Sequence, residues 1–219
     1  MAVLAVGLSA SAGLVDSISA PVGLTASGDW LTDGFKVAWD ISSNGDGTWR
    51  YHYDFTKPVG ASLRKDVSHF IIQVSDNFTS QDISGGWVPG WYETGSPSTP
   101  GIPGSIWGVK VELDDNNSFS FDSTRAPMWG DFYAKGGTSQ QGTVWNDVYN
   151  SDFGVWVSNP NDYDQTPVDG LQRPLYKVLV PDTIPEPPTM IILGVGSVLL
   201  RRRKQTNRIE KKRFILHGR

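Results

Sequence analysis

The chain has 219 residues and no cysteine, which excludes disulfide bonds, thiolate chemistry and metal sites built on sulfur. Its formal net charge of -4 is unevenly distributed, because residues 201–219 hold nine Lys and Arg side chains and a single acid, Glu210. The rest of the chain is therefore strongly acidic, which argues against nucleic acid as a partner, since phosphate binding requires a clustered cationic face. Its 24 Gly and 14 Pro favour one domain of short strands and many turns.

Residues 1–20 predict a secretory signal peptide. An apolar stretch beginning at Met1 closes on the small residues Ala10-Ser11-Ala12, which fit the pattern that a signal peptidase accepts, and a second such site ends at Ala20. A basic segment before the apolar stretch is missing, because the first Lys or Arg is Lys36. We therefore predict a truncated signal peptide and an exported protein.

A β-hairpin is the strongest structural prediction in the body of the chain. Apolar and polar residues alternate from Phe35 to Ile41 and again from Trp49 to Phe55, at the period of two that is typical of strands. Between them lie Asn44-Gly45 and Asp46-Gly47, the two dipeptides that favour tight hairpin turns.

Further strands are predicted along residues 21–180, with no helical apolar stripe between them. The segment 85–104 is rich in Gly, Pro, Ser and Thr and is predicted as a long loop. The sequence therefore predicts an all-β fold, an antiparallel β-sandwich of the jelly-roll or immunoglobulin-like type. The predicted strands are 67–75, 106–113, 118–122, 130–134, 143–149, 154–157 and 175–180.

Four tryptophans could form a stacking platform for carbohydrate: Trp87, Trp91, Trp107 and Trp129. We select Trp87 and Trp91, in the predicted loop, as the candidate binding residues. Aromatic faces stack on the apolar faces of sugar rings, and these two lie outside the alternating strands. Most of the other Trp residues, such as Trp39 and Trp49, occupy alternating positions that favour the core.

Catalytic and metal-binding patterns are weak. Histidines occur only at positions 52, 69 and 217, and His217 lies in the basic tail, so a three-histidine site in the body is excluded. We expect no enzyme activity and no cofactor. Two alternatives stay open: a glycosidase pair of Glu93 with Glu112, and Ca²⁺ bound by oxygen ligands at Asn44, Asp46 or residues 114–117.

Three elements follow one another at the C-terminal end. A proline-bounded triplet comes first, the uncharged segment 188–200 second and a basic run third. As a helix, the uncharged segment spans about 20 Å, which is short for a bilayer, and the basic run is typical of a stop-transfer signal. The triplet is Pro185, Glu186 and Pro187, and the basic run is Arg201, Arg202, Arg203 and Lys204.

This order resembles the PEP-CTERM sorting domain, the tail of exported bacterial proteins that are processed by exosortase. The resemblance covers residues 181–204 and implies a single C-terminal transmembrane sorting helix. It also implies an inner-membrane intermediate, recognition at the triplet, and transfer of the body to the cell surface or the extracellular matrix. The extension 205–219 departs from the family pattern and is predicted as a basic cytoplasmic tail.

The resulting prediction is a non-enzymatic surface or matrix protein. Its signal peptide covers residues 1–20, its ectodomain 21–180, its sorting segment 181–204 and its basic tail 205–219. The expected partners are an exosortase-type enzyme and the inner membrane, with exopolysaccharide as a further candidate in a biofilm setting. A carbohydrate-binding module is the alternative function, followed by a secreted hydrolase.

Overall fold

The computed structural model describes residues 13–113, 116–154 and 176–181. The chain divides into two compact units, Met1–Ile184 and Pro185–Arg219, and every described residue belongs to the first. The described elements, in chain order, are β1 (Leu14–Ser19), β2 (Leu24–Ala26), α1 (Gly28–Asp33), β3 (Lys36–Ser43), β4 (Trp49–Thr56), β5 (Val67–Gln73), β6 (Gly90–Tyr92), β7 (Ile106–Glu112), β8 (Ser118–Ser123), β9 (Pro127–Gly130), β10 (Phe132–Thr138), β11 (Trp145–Asn150) and β12 (Val178–Pro181).

The predicted hairpin is confirmed as β3 and β4, which pair from Lys36 opposite Thr56 to Ser43 opposite Trp49. The strands β1 and β8 flank this hairpin and complete a four-stranded sheet in the order β1-β3-β4-β8. A six-stranded sheet has the order β2-β11-β10-β5-β7-β6, and a separate two-stranded sheet joins β12 to β9. The named strand pairs are all antiparallel, so the all-β prediction is confirmed.

The two large sheets pack face to face around an aromatic core. Phe70 of β5 lies with its ring centroid 5.3 Å from that of Tyr53 and 5.0 Å from that of Phe55, both on β4. All three side chains are at most 1% exposed. The alternation that was visible in the sequence thus places one face of each sheet in a common, sandwich-like core.

Several elements differ from the sequence prediction. The predicted single strand 130–134 is wrong: β9 and β10 are separate, and the chain changes partner at Asp131. The predicted loop 85–104 contains the short strand β6, and a one-and-a-half-turn helix, α1, was not predicted. Trp30 of α1 is buried against Phe35, with 4.6 Å between ring centroids, so tertiary packing holds this short helix.

Part of the predicted signal segment belongs to the described fold. Strand β1 pairs along its whole length with β3, and both Ile18 and Ala20 are buried. Residues 1–12 lie outside the described residues. The β-structure therefore begins at Leu14, ahead of the predicted boundary at residue 21.

The C-terminal strand β12 is fixed firmly to the body. Val178 and Val180 are fully buried, and the Tyr53 hydroxyl donates a 2.7 Å hydrogen bond to the carbonyl oxygen of Leu179. Just before the strand, Lys177 forms an ion pair with Asp131, and both side chains are 5% exposed. The described residues contain no helix long and apolar enough to cross a membrane. The predicted sorting helix at 188–200 lies outside them.

Candidate functional site

The predicted sorting residues belong to the second unit of the chain and lie outside the described residues. These are Pro185, Glu186 and Pro187 with the basic run Arg201, Arg202, Arg203 and Lys204. What the structure describes is the end of the preceding unit. Strand β12 ends at Pro181, so only Asp182, Thr183 and Ile184 separate it from the triplet.

An exposed pair of tryptophans, Trp91 and Trp107, lies at one edge of the six-stranded sheet, and we call it the aromatic edge. Strand β6 is the last strand of that sheet, and it places Trp91 directly opposite Trp107 of β7. The two ring centroids are 5.6 Å apart with an interplanar angle of 61°. Trp91 is 64% exposed, while Trp107 is partly buried against the core. The pair therefore offers an aromatic surface to solvent on a backbone held by strand pairing.

The other predicted glycan-binding residue, Trp87, packs in a different direction. Its ring meets Phe121 of β8 edge to face, with 5.9 Å between centroids, and the side chain is partly buried against the core. Trp107 is therefore the described ring partner of Trp91, whereas Trp87 packs against the core. The positions of Trp87 and Trp91 in the predicted loop did not indicate which of the two rings would pack against the core.

The residues considered for calcium close the β3–β4 turn by hydrogen bonds. Asp46 Oδ1 accepts from the Thr48 hydroxyl at 2.6 Å and from the Thr48 backbone N–H at 2.9 Å. These bonds, the side-chain one first, lower the pKa of Asp46. Asn44 Nδ2 donates to Thr48 Oγ1 at 2.9 Å and to Asp122 Oδ1 at 3.1 Å. Within the described ranges no group of three or more His, Asp and Glu side chains is arranged for a metal, and Asp114 and Asp115 fall outside those ranges.

The structure does not bring together the candidate glycosidase pair. Glu93 follows β6, whose last residue, Tyr92, lies opposite Ile106 at the start of β7, whereas Glu112 ends β7. At the rise of a β-strand, this places the backbones of Glu93 and Glu112 about 20 Å apart. Acid and base in glycosidases lie about 5–10 Å apart. Glu112 instead pairs with Lys110 at 2.6 Å.

Four ionisable side chains form a row across the outer face of the six-stranded sheet, and we call it the polar row. Asp147 lies opposite Lys135, Lys135 opposite His69, and His69 opposite Glu112. Because directly opposed residues of neighbouring strands point to the same face, the four side chains are neighbours. Neither His69 nor Glu112 was predicted to have the other as a neighbour, because the register of β5 and β7 is not visible in the sequence.

The segment 93–104 covers the polar row. Lys135 Nζ donates to the carbonyl oxygen of Pro97 at 3.2 Å and lies 4.0 Å from the ring centroid of Trp145. The Asp147 carboxylate packs so closely on Gly101 that a β-carbon there would collide with it. His69, Lys135 and Asp147 are at most 9% exposed. The row therefore serves as an anchor for the covering segment, and it presents little surface to a ligand.

Burial shifts the pKa values of three members of the row, His69, Lys135 and Asp147. It lowers the pKa of His69 to about 4, with a further contribution from the positive charge of Lys110, while Glu112 acts in the opposite direction. Burial also raises the pKa of Asp147 and lowers that of Lys135. Clusters of shifted groups often mark functional sites, but here the cover and the contacts to it account for the shifts.

His69 predicts a loss of stability as the pH falls from about 6.5 to about 4. Its pKa of about 4 in the folded protein lies below the model value of 6.5, so the unfolded chain takes up the proton first. Its contribution is complete above pH 6.5, and up to about 3 kcal/mol of unfolding free energy disappears by pH 4. Urea denaturation at a series of pH values measures this change.

Two variants test the assignment. His69→Gln should flatten the stability profile in this window, whereas His52→Gln should leave it unchanged. His52 is partly exposed, with hydrogen bonds to Ser120 Oγ at 2.8 Å and to Asp54 Oδ2 at 3.0 Å. Parallel profiles for His69→Gln and the unmodified chain would contradict the prediction.

Comparison with known proteins adds no identification. No protein-family model matches the chain, and neither a curated protein nor a solved structure shows significant similarity to it.

Proposed function

We propose that the chain is an exported, non-enzymatic surface or matrix protein, whose body is a β-sandwich of the jelly-roll or immunoglobulin-like type delivered by a PEP-CTERM-like tail. The observation that supports this most directly is the position of β12. This strand is buried and ion-paired at its start, and it ends at Pro181, with three residues between it and the Pro185-Glu186-Pro187 triplet. The last described strand of the body thus ends just before the proposed sorting triplet.

This arrangement suits a processing signal. A protease or transpeptidase requires an extended substrate, and prolines keep the triplet out of helix and of sheet ladders. Cleavage there removes no residue of β12. The proposed route is export, insertion in the inner membrane, processing by an exosortase-type enzyme and release or transfer to the cell surface. Exopolysaccharide is the proposed surrounding polymer.

A reporter fusion tests the tail. Residues 182–219, which follow the last described strand, are fused to an exported fluorescent protein in a host that carries exosortase. We expect membrane association followed by a decrease in size. The matched control replaces Pro185, Glu186 and Pro187 with Ala, which should retain the fusion in the membrane at full size. A fusion that remains soluble and uncleaved in both cases would refute the sorting function.

The N-terminus of the mature protein gives a second test of export. Cleavage after Ala12 leaves β1 intact, whereas cleavage after Ala20 removes it from the four-stranded sheet. We therefore expect signal peptidase to cleave after Ala12. Mass spectrometry that finds a mature protein beginning at Gly13 supports the route, and an unprocessed Met1 in an exporting host argues against it.

Carbohydrate binding is the second candidate function, because the aromatic edge exposes Trp91 on a rigid strand. Affinity electrophoresis in exopolysaccharide gels should show binding that weakens about two- to tenfold in Trp91→Ala, since one aromatic stacking contact contributes about 0.5–1.5 kcal/mol. Trp145→Ala is the matched control, because Trp145 is 42% exposed and lies on β11. Equal mobility of all three proteins would exclude this function for the aromatic edge.

A further inference from the structure

Three buried polar side chains, Lys177, Asp131 and Asn150, meet where β12, β10 and β11 come together, and we call them the buried triad. Lys177 precedes β12, Asp131 separates β9 from β10, and Asn150 ends β11. Their relative exposures are 4%, 4% and 0%. A lysine amine, a carboxylate and a carboxamide are thus held together away from water.

The hydrogen bonds orient the triad for a reaction. Asp131 Oδ1 accepts from Lys177 Nζ and also from Asn150 Nδ2, the latter at 2.8 Å. Because both nitrogens contact one oxygen, they lie within about 5 Å of each other. Asp131 Oδ2 is held by the backbone N–H of Gly154 at 2.9 Å. The carboxylate therefore bridges an amine and an amide nitrogen.

The carboxamide of Asn150 is polarised at its other end. Its Oδ1 accepts a 3.0 Å hydrogen bond from the backbone N–H of Phe132. A donor in this position stabilises negative charge on the oxygen when a nucleophile adds to the amide carbon. The neighbouring side chains of Phe132 and Val178 are fully buried, which limits access of competing water.

We propose that Lys177 and Asn150 become joined by an intramolecular isopeptide bond, with Asp131 as the proton relay. The Asp131 carboxylate accepts a proton from the Lys177 ammonium group, and the neutral amine attacks Cγ of Asn150. Protonated Asp131 gives its proton to Nδ2 as the C–N bond breaks, which releases ammonia. The Asp131 carboxylate then takes the surplus proton from the attacking nitrogen and passes it to the ammonia. One ammonium ion and one secondary amide result from the ammonium group and the carboxamide, so no oxidant or other reactant is required.

The geometry favours this bond over a direct amide between Lys177 and Asp131. In a direct amide, the Asp131 carboxylate would itself become part of the bond, and no group would be left to act as acid and base. A second acid, Asp152, contacts Lys177 through its backbone carbonyl oxygen at 3.4 Å, while its carboxylate accepts from the Tyr176 backbone N–H at 2.7 Å. Asn150 as electrophile leaves Asp131 free to act as acid and base.

The bond would join the last described strand to the centre of the body. Lys177 lies directly before β12, and Asn150 ends β11, which is an interior strand of the six-stranded sheet. A force applied at the C-terminal end would then be borne by a covalent link in addition to hydrogen bonds. The chemistry depends only on the buried triad and holds whether or not the tail is a sorting signal.

Digestion of the full-length chain tests the proposal. The purified protein is boiled in detergent and cleaved on the N-terminal side of aspartate, which separates residues 147–151 from residues 169–181. We expect these two peptides to remain joined, with a mass lower than their sum by one ammonia, about 17 Da. Tandem mass spectrometry should place the link between Asn150 and Lys177.

Variants separate the roles. Lys177→Arg keeps the positive charge but removes the nucleophilic amine, and Asp131→Asn removes the proton relay, so both should yield separate peptides. Ser151→Ala, beside Asn150 but outside the buried triad, should yield the joined species. Separate peptides from the unmodified, folded chain overturn the proposal without any variant. A link from residues 131–146 to 169–181 with loss of water overturns the assignment to Asn150.

Discussion

Replacing Asp131 with Ala is expected to lower the free energy of unfolding by about 3–5 kcal/mol, because it leaves the buried amine of Lys177 without its counter-charge. The substitution also removes the acceptor for Asn150 Nδ2 and for the Gly154 backbone N–H. Each buried donor that loses its partner adds a desolvation penalty. Equilibrium unfolding in urea at pH 7 measures the loss.

An exposed ion pair provides the control for this prediction. Glu112 pairs with Lys110, but its side chain is 62% exposed, so Glu112→Gln should change the unfolding free energy by less than about 1 kcal/mol. If the isopeptide bond forms, Asp131→Ala also prevents it, and the difference between the two variants widens. Equal losses in both variants would show that burial of Lys177 contributes nothing.

The sequence predicted those elements that are specified by residues close together in the chain. The β3–β4 hairpin was predicted because apolar and polar residues alternate on both sides of one Asn-Gly and one Asp-Gly dipeptide. In the structure, its strands pair so that Trp39 lies opposite Tyr53 in the core. The strands β5 and β7 were also predicted, within two residues of their observed ends. The all-β class was therefore accessible from residues 35–56 and a few similar stretches.

Elements that depend on distant partners were not predictable in this way. Strand β1 reads as part of a signal peptide, and only its pairing with β3 makes it a strand. Helix α1 is too short to show a period, and it is held by contacts such as the 2.5 Å hydrogen bond from the Asp29 backbone N–H to Asn146 Oδ1. Asp131 separates two strands because it belongs to the buried triad, which no local pattern reveals.

The same distinction applies to the candidate sites. Trp91 was identified from its loop composition and is exposed, but its partner Trp107 lies on another strand, so the aromatic edge required the register of β6 and β7. The polar row joins residues of four strands. The sequence shows that these strands carry polar residues at alternate positions, but it does not show which strands are neighbours in the sheet.

Asp82 is expected to control stability in acid. Its carboxylate binds Arg125 through two contacts, Oδ1 to Nε at 3.0 Å and Oδ2 to Nη2 at 3.3 Å, and the Arg125 side chain is only 6% exposed. Burial alone would raise the pKa of Asp82, but the hydrogen bonds from Arg125 and from Thr79 and Thr124 lower it to about 2. The pair fixes the segment before β6 to the end of β8.

The lowered pKa of Asp82 determines the direction in which the unfolding free energy changes with pH and the pH range over which it changes. In the unfolded chain the carboxylate takes up a proton near pH 4, before it does so in the folded protein. The contribution of Asp82 is therefore complete above about pH 4, and about 2 kcal/mol of it is lost as the pH falls to about 2. At pH 7, Asp82→Asn should lower the unfolding free energy by about 3–5 kcal/mol, because Arg125 stays buried without its counter-charge.

His69 and Asp82 thus act in adjacent and separable pH windows, and their variants should behave in opposite ways. His69→Gln should retain the loss of stability below pH 4 and lack the loss between pH 6.5 and 4. Asp82→Asn should show the reverse, from a lower starting stability. Far-ultraviolet circular dichroism during urea titrations follows both. If Asp82→Asn still loses the same amount of unfolding free energy below pH 4, that loss arises from other carboxylates, and the role of the Arg125 contact is refuted.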